Sequence, residues 1–191
     1  MDLSVLSEPF SKDEVEWRVQ RSGRSGGGKP YAMVLCYVTA RAIMNRLDAV
    51  CGPMNWRDEF RTTEGGTMCG ISIRCGDEWV TKWDGSPDTQ VEAFKGGLSK
   101  AFVRCAVKWG IGRYLYSLPT TFADITDKRS KDGNHIKIDG SSLYWSAPDY
   151  DRLMHDLGIQ APAAKGPAAA PEHMQDEDDD CLLYTSPSPR D

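Results

Sequence analysis

Apolar and polar residues alternate through three short segments in the middle of the chain. The segments are residues 56–63, 68–75 and 78–84, and glycine-centred turns separate them. Alternation with a period of two is typical of a strand with one buried face, and tight turns join strands that are neighbours in space. The pattern therefore predicts three antiparallel strands that form a β-meander.

A longer helical pattern follows the meander, from about residue 89 to residue 109, and Gly110 ends it. Gly96 and Gly97 lie inside this helix, where each costs about 1 kcal/mol relative to alanine. Two such residues indicate close approach by another backbone, from a neighbouring subunit or from DNA. The apolar face of the helix, which we expect to pack on the sheet, consists of Phe94, Leu98, Ala101, Phe102, Cys105 and Trp109.

Weaker signals place the remaining elements. Ser11 and Glu14 match the capping-box spacing, which predicts a helix over residues 11–20 followed by a loop over 21–30. Thr39 is a suitable N-cap for a helix over 40–50. The other predicted elements are a strand over 31–38, a short helical piece over 112–118, a hairpin within 122–145 that turns at 132–134, and a helix over 149–157. The fold class is therefore α+β, an antiparallel β-meander packed on a long α-helix.

Size and charge divide the chain into unequal parts. The 191 residues, 40% of them hydrophobic, suffice for one folded domain, which we place at residues 1–160. Residues 161–191 hold seven of the 28 acids and two of the 23 bases, which leaves 21 of each in residues 1–160. Residues 161–180 are rich in alanine and proline and then in acids, which predicts a disordered linker. Its acidic run is either a solubilising tail or a partner-binding tip. Residues 181–191 resemble a translated sequencing adapter, so we expect the natural C-terminus to be missing.

Cysteine usage and hydropathy exclude several classes of protein. The six cysteines are scattered singly, without a CxxC pair and with only three histidines. Neither a disulfide framework nor a zinc site is expected from this pattern. The N-terminus lacks the features of a signal peptide, and no run of 18 apolar residues is present. We therefore expect a cytoplasmic protein without a membrane span or a bound metal.

The segment from residue 93 to residue 123 contains no acid at all, although the whole chain has a net charge of -5. It carries several bases, and aromatic residues accompany them from Trp109 to Tyr116. A strand of nucleic acid offers phosphates to neutralise and bases to stack, so this mixture favours a nucleic-acid partner. The bases of the segment are Lys95, Lys100, Arg104, Lys108 and Arg113.

A glycine-rich segment near the N-terminus comes close to a phosphate-binding loop. Gly23, Gly28 and Lys29 fit the GxxxxGK spacing, but Pro30 stands where a serine or threonine would hold Mg²⁺. Proline also removes a backbone N–H and disfavours helix at the preceding residue. We therefore expect no nucleotide cofactor and no enzymatic activity, and we interpret the segment as a flexible basic loop.

Several sequence strings resemble the Rad52/22 family of single-strand annealing proteins. They are GGGK at 26–29, WVTKWDG at 79–85 and WGIGRYLY at 109–116, with Tyr37 and Asn55 at matching positions. The last two strings are similar to the bacterial and phage branch of that family, which includes DdrA-like proteins. The resemblance covers about residues 5–120, and the strings are specific in combination rather than singly.

The resemblance implies a β-β-β-α core that assembles into rings or arcs and holds single-stranded DNA in a groove without ATP or metal. Phosphates would be gripped while bases stay exposed for pairing. Lys95 and Arg104 match basic positions of the family's long helix, Arg41 lies near the groove arginine, and Arg74 matches a second DNA site. The resemblance implies a bacterial or phage-infected cytoplasm, with a recombinase or an SSB-type protein as a candidate partner.

Charge and resemblance together predict a set of DNA contacts, of which Arg74 and Lys82 would lie on a second surface. Tyr114 and Tyr116 are candidates for base stacking, with core packing as the alternative for either. The predicted DNA-binding residues are Arg41, Arg46, Arg74, Lys82, Lys95, Lys100, Arg104, Lys108 and Arg113.

The chain also departs from the family's pattern. Val103 and Val107 stand where eukaryotic members carry lysine and arginine, and Pro53 replaces an aromatic residue. Lys100 and Lys108 lie on the same stripe as the two valines and are candidates for compensating them. The predicted function is annealing of complementary single strands in repair and recombination, and the open alternative is end protection or recombination mediation without annealing.

Overall fold

A computed structural model of the chain describes residues 2–87, 93–129 and 133–160, and only the backbone at 93–96. The predicted linker (161–180) and adapter (181–191), residues 89–92 of the predicted long helix and part of the predicted turn at 132–134 lie outside these ranges. The described elements, with short 3-10 helices at Leu3–Ser7 and Arg113–Ser117, are β1 (Val15–Arg24), β2 (Pro30–Val38), α1 (Ala40–Cys51), β3 (Trp56–Thr63), β4 (Gly66–Cys75), β5 (Glu78–Pro87), α2 (Ala93–Lys108), β6 (Thr121–Phe122), β7 (Asp124–Thr126), β8 (Asn134–Ile138), β9 (Ser141–Ser146) and α3 (Tyr150–Asp156).

The predicted meander is confirmed. Strands β3, β4 and β5 form one antiparallel sheet with β4 in the centre, and the two other described sheets have the orders β1-β2-β6 and β7-β9-β8. The α+β class with antiparallel sheets is therefore confirmed as well. Of the helices in the described ranges, none is both long enough and apolar enough to cross a bilayer.

Helix α2 lies against one face of the meander. Ile71 and Ile73 of β4 are fully buried there, together with Ala101 and Cys105 of the helix. The indole N–H of Trp109 donates a 3.0 Å hydrogen bond to the Ile71 carbonyl, which anchors the C-terminal end of the helix to the central strand. The opposite flank of α2 is left to solvent by this contact.

Gly97 contacts the chain's own sheet. A Cβ atom on this residue would lie 3.3 Å from Thr67 Oγ1, and its carbonyl accepts a 3.0 Å hydrogen bond from the Ser86 hydroxyl. Contacts with β4 and β5 of the same chain therefore account for Gly97 without a neighbouring subunit or DNA.

The predicted helix over residues 11–20 is wrong. Half of the capping box forms, since the Ser11 N–H donates to the Glu14 carboxylate at 3.0 Å, but the Glu14 N–H donates to the Ser11 carbonyl and closes a single turn. Strand β1 begins directly afterwards and pairs antiparallel with β2, so the loop predicted at 21–30 begins only after Arg24. Val15, Trp17 and Val19 alternate with polar residues through β1, and this period of two outweighs the local helix signal.

The hairpin predicted around residues 132–134 turns elsewhere. Strands β8 and β9 are joined by Asp139 and Gly140, whose φ angles are 48° and 79°. Two consecutive positive φ angles are typical of the tight turn that matches the twist of a hairpin, and Asp-Gly is a favoured pair for it.

The C-terminal helix predicted over residues 149–157 is confirmed as α3. The Asp149 carboxylate caps it by accepting a hydrogen bond from the Arg152 N–H at 3.1 Å.

Two buried tyrosine hydroxyls join three distant parts of the chain. The Phe10 N–H donates to the Tyr114 hydroxyl at 3.0 Å, and the Tyr150 hydroxyl donates to the Phe10 carbonyl at 2.9 Å. The two hydroxyls lie 2.7 Å apart, within hydrogen-bond distance. Burial raises the pKa of both phenols, so both stay neutral at physiological pH. This cluster fixes the start of the chain and α3 onto the segment that follows α2.

Candidate nucleic-acid interface

The solvent-facing side of α2 carries a row of cations. Lys100, Arg104 and Lys108 follow one another at intervals of four residues, so they lie along one flank of the helix, and all three side chains are exposed. Among the described residues, no carboxylate oxygen lies within 4.0 Å of the Lys100 or Lys108 ammonium group. We call these three residues the α2 stripe. The helix itself contributes no acid between these cations.

Asp84 of β5 holds the central cation of the stripe. Its Oδ1 lies 3.6 Å from Arg104 Nε and also accepts the Gly85 N–H at 2.7 Å. About half of the Arg104 side chain is exposed, so the attraction is screened and contributes at most about 1 kcal/mol. The contact positions the guanidinium beside the sheet through Nε, and the exposed half of the side chain can be reached by an anionic ligand.

Lys82 and Arg113, both predicted as DNA contacts, complete the C-terminal end of α2. Lys82 Nζ and Arg113 Nη2 each donate a 3.0 Å hydrogen bond to the Lys108 carbonyl, and Arg113 Nε donates to the Val107 carbonyl at 3.0 Å. Lys82 Nζ also lies 4.2 Å from the centre of the Trp109 ring. Cations at this position neutralise the partial negative charge of the helix end, and they extend the positive region beyond Lys108.

An apolar cleft of about 300 Å³ lies beside the stripe, between α2 and β2. Val103 and Val107 of the helix and Leu35 of the strand line it, and Arg18 of β1 also contributes to its wall. Tyr116 lies at the cleft with 68% of its surface exposed, so its ring is available for stacking. Val103 and Val107 therefore form an apolar wall next to the cations of the α2 stripe.

Two polar groups of β2 at the cleft stay uncharged. The hydrogen bond to the Glu16 carboxylate, together with burial, raises the pKa of Tyr37 to about 12. Burial raises the pKa of the Cys36 thiol to about 12 as well. Neither side chain supplies a negative charge at physiological pH, so the cleft does not repel an anionic ligand through these groups.

The other predicted contacts are dispersed. Arg41 is exposed at the start of α1. The Arg46 guanidinium donates to the Glu8 carbonyl at 2.8 Å and lies 4.2 Å from the centre of the Phe10 ring, so it stabilises the N-terminal segment. Arg74 donates to the Gly76 carbonyl at the turn between β4 and β5. The side chain of Lys95 lies outside the described part of the chain.

The tyrosine candidates separate clearly. Tyr116 is exposed, whereas the Tyr114 hydroxyl is hydrogen-bonded to Phe10 and Tyr150 and its ring packs against the core.

The sequence did not identify Asp84 as the partner of Arg104, or Arg18 as a cleft residue. The alternation of apolar and polar residues in β1 is the signal that could have placed Arg18 on an exposed strand face.

A cationic helix flank beside an apolar cleft, on an α+β scaffold with a central meander, defines a candidate nucleic-acid-binding protein. The model of the Rad52/22 family of double-strand break repair proteins matches residues 3–135, and the chain belongs to this family. The single-stranded DNA-binding protein DdrA of Deinococcus radiodurans is 35% identical over 149 residues, which cover 77% of this chain and 68% of that protein. DdrA of Deinococcus deserti is 30% identical over 149 residues, with coverage of 77% and 70%.

Proposed function

We propose that this protein binds single-stranded DNA and anneals complementary strands in DNA repair and recombination, without ATP or metal. The observation that carries the proposal is the α2 stripe, which presents Lys100, Arg104 and Lys108 in a segment without acids. Membership in the Rad52/22 family supports it, as do the DdrA relatives, which are named single-stranded DNA-binding proteins. The protein would act as a binding protein rather than as an enzyme.

The proposed interface combines two kinds of contact. The stripe and the cations at the end of α2 would bind phosphates, which supply affinity regardless of sequence. The apolar cleft with Tyr116 would receive the less polar parts of the strand, since stacking on an aromatic ring tolerates every base. Val103 and Val107 reduce the number of phosphate contacts compared with eukaryotic members, so we expect moderate affinity and a moderate salt dependence.

Assembly is part of the same proposal. The β-β-β-α unit of β3, β4, β5 and α2 would form a ring or an arc with other copies, so that stripes of successive protomers make one continuous track. Residues 1–160 would be the annealing domain, and a recombinase or an SSB-type protein would be its partner in the cytoplasm. A track longer than one protomer is needed because three cations span only about 12 Å along a helix.

A second candidate function is end protection or recombination mediation without annealing. The observation that favours it is the valine pair, because fewer phosphate contacts limit how well two strands can be held together. The curated relatives are likewise named for DNA binding alone.

Two measurements test these proposals. Fluorescence anisotropy with a labelled oligonucleotide at several salt concentrations measures affinity and its salt slope. We expect replacement of Lys100, Arg104 and Lys108 by alanine to flatten the slope by about 2, since each phosphate contact on a single strand contributes about 0.7. The control replaces three exposed cations elsewhere, Lys12, Lys137 and Arg152, and should leave the slope unchanged. An unchanged slope in the stripe variant would contradict the proposed interface.

Annealing is measured separately with two complementary oligonucleotides in EDTA and without nucleotide. The proposal expects pairing that is faster with protein than without it. DNA binding with no acceleration of pairing would reject annealing and support end protection or mediation. Size-exclusion chromatography with light scattering on the same samples tests the assembly, and a monomer at working concentration would contradict the ring or arc.

A further inference from the structure

The face of the meander that points away from α2 carries a repeated pair of arginine and tryptophan. Alternate residues of β3, β4 and β5 project to this side, which we call the outer sheet face. Arg57 Cζ lies 4.5 Å from the centre of the Trp79 ring, and Arg61 Cζ lies 4.2 Å from the centre of the Trp83 ring. Cation–π pairs of this geometry orient both planes and are strongest with tryptophan.

The same strand registers, β3 with β4 and β4 with β5, position both arginine–tryptophan pairs. Arg57 stands across β4 from Thr81, and Arg61 stands across β4 from Gly85, so each arginine reaches the tryptophan two residues before its opposite residue. The pairs are four residues apart on both strands, which separates them by about 13 Å. A single pair is a common surface feature, whereas an exact repeat along two strands makes a regular platform.

Gly70 of the central strand gives one indole its position. A Cβ atom on this residue would lie 2.6 Å from the Trp83 ring, so only glycine allows the ring to lie flat on the strand. Trp83 is thereby held between the backbone below and the Arg61 guanidinium above. Nearby, Ser72 is buried and lies 2.8 Å from the Thr81 hydroxyl, so the surface beneath the platform has its polar groups paired.

The outer sheet face is accessible and mainly cationic in the described part of the chain. Trp79 is 39% exposed, and both arginines are exposed. Glu59 projects to the same face and is already paired with Arg61 at 2.9 Å, and no carboxylate among the described residues lies within 4.0 Å of Arg57. With Arg57 and Arg61 against Glu59, the face keeps a net positive charge, which is complementary to an anionic ligand with flat groups.

We propose that the outer sheet face is a base-stacking surface for single-stranded nucleic acid, in which bases stack on the exposed Trp79 ring and on the outward planes of the Arg57 and Arg61 guanidinium groups. Trp83, which is covered by Gly70 and Arg61, positions the second guanidinium. The proposal rests on the proposed function and adds a second mode of contact. The α2 stripe neutralises phosphates, whereas this face would bind through base planes. Exposed aromatic residues on a β-sheet are a known physical solution for binding unpaired bases.

An abasic oligonucleotide of the same length separates the two modes, because it keeps the phosphates and lacks the bases. We expect the wild-type protein to bind oligo(dT) more tightly than the abasic strand. Replacing Trp79 and Trp83 by alanine should weaken oligo(dT) binding about tenfold or more and reduce that difference, with the salt slope unchanged. The α2 stripe variant should show the reverse, a flatter slope with the base dependence retained.

Controls keep the result interpretable. Phenylalanine at both positions should restore much of the base dependence, because it retains a stacking plane. Since loss of Trp83 uncovers Gly70, Trp79→Ala alone serves as the variant that keeps the fold, and it should lose a part of the same difference. Full base dependence in Trp79→Ala and in the double variant would overturn the proposal. A smaller assembly in light scattering for these variants would assign the face to contacts between copies and would overturn it too.

Discussion

The α2 stripe and the outer sheet face lie on opposite sides of the same meander and present positive charge in different ways. On the stripe, two lysines have no acidic partner within 4.0 Å among the described residues, and Arg104 is held only by Asp84 at 3.6 Å. On the sheet, each arginine stacks on a tryptophan, and the sheet register fixes where the pair lies. Flexible ammonium groups suit phosphates, whereas fixed planar groups suit bases.

The comparison also separates what stabilises each surface. The stripe stands on a helix whose other side is anchored in the core, so its side chains can change without disturbing the packing. The outer sheet face is itself packed, since Trp83 covers Gly70 and Ser72 is buried beneath the platform. Substitutions should therefore affect binding alone on the stripe, and both binding and stability on the sheet.

The largest expected effect is that of Gly70→Ala. The added methyl group would lie within 3 Å of the Trp83 ring, so the indole must move off the strand and the Arg61 stack must open. Crowding of this kind costs about 1–3 kcal/mol in the free energy of unfolding, which chemical denaturation measures. Base dependence of DNA binding should fall with it, while the salt slope stays the same.

Gly26→Ala is the matched control, because a Cβ at that position has no atom within 4 Å and should change stability by no more than about 0.5 kcal/mol. Equal stability of Gly70→Ala and the wild-type protein would mean that Trp83 does not lie flat on β4. A flatter salt slope in Gly70→Ala would mean that the two surfaces are not independent.

A smaller effect is expected when lysine replaces Val103 and arginine replaces Val107. Both valines line the cleft beside the stripe, so the new cations would extend the track of charge. We expect about tenfold tighter binding at low salt and a slope steeper by about 1.4, since two phosphate contacts are added. This change sharpens the comparison, because Tyr116 and the outer sheet face stay unchanged and most of the preference for oligo(dT) over the abasic strand should be retained.

The control for the valine pair adds the same charge at a distance, with Asn134→Lys on β8 and His155→Arg on α3. Both positions are exposed, so they report the effect of net charge alone. Equal gains in the two double variants would show that the cleft has no special place in binding. An unchanged slope in the cleft variant would remove the cleft from the path of the strand.

The meander and the stripe could be predicted from the sequence because each depends on local periodicity. Strands β3, β4 and β5 are short, and their apolar and polar residues alternate with a period of two. Because tight turns join them, each strand pairs with its neighbour in the sequence. The stripe follows from 100° per residue once α2 is recognised. Strand β1 was missed because the Ser11–Glu14 capping box is a true local signal that ends after one turn.

The contacts between elements could not be predicted. Arg57 meets Trp79 because two successive registers place β3 and β5 at fixed offsets, and a shift of one residue in either turn would separate them. The same holds for Asp84 and Arg104, which belong to β5 and α2. Lys82 and Arg113 were predicted as DNA contacts from their charge, and their bonds to carbonyls of α2 depend on where the helix ends.

The smallest expected effect is that of Asp84→Asn, which removes the one carboxylate found beside the stripe in the described part of the chain. Asparagine keeps an oxygen that accepts the Gly85 N–H, so the turn should stay intact. We expect about two- to threefold tighter DNA binding at low salt, because an exposed ion pair contributes less than about 1 kcal/mol and its loss frees Arg104 for phosphate. The gain should vanish at high salt, where the stripe itself is screened.

Asp151→Asn is the control. It removes the same charge, releases Lys12 from a 3.9 Å ion pair between α3 and the N-terminal segment, and should leave affinity unchanged. Weaker binding by Asp84→Asn would instead mean that Asp84 holds Arg104 in the orientation that phosphate requires, and the stripe would then share the fixed geometry of the outer sheet face.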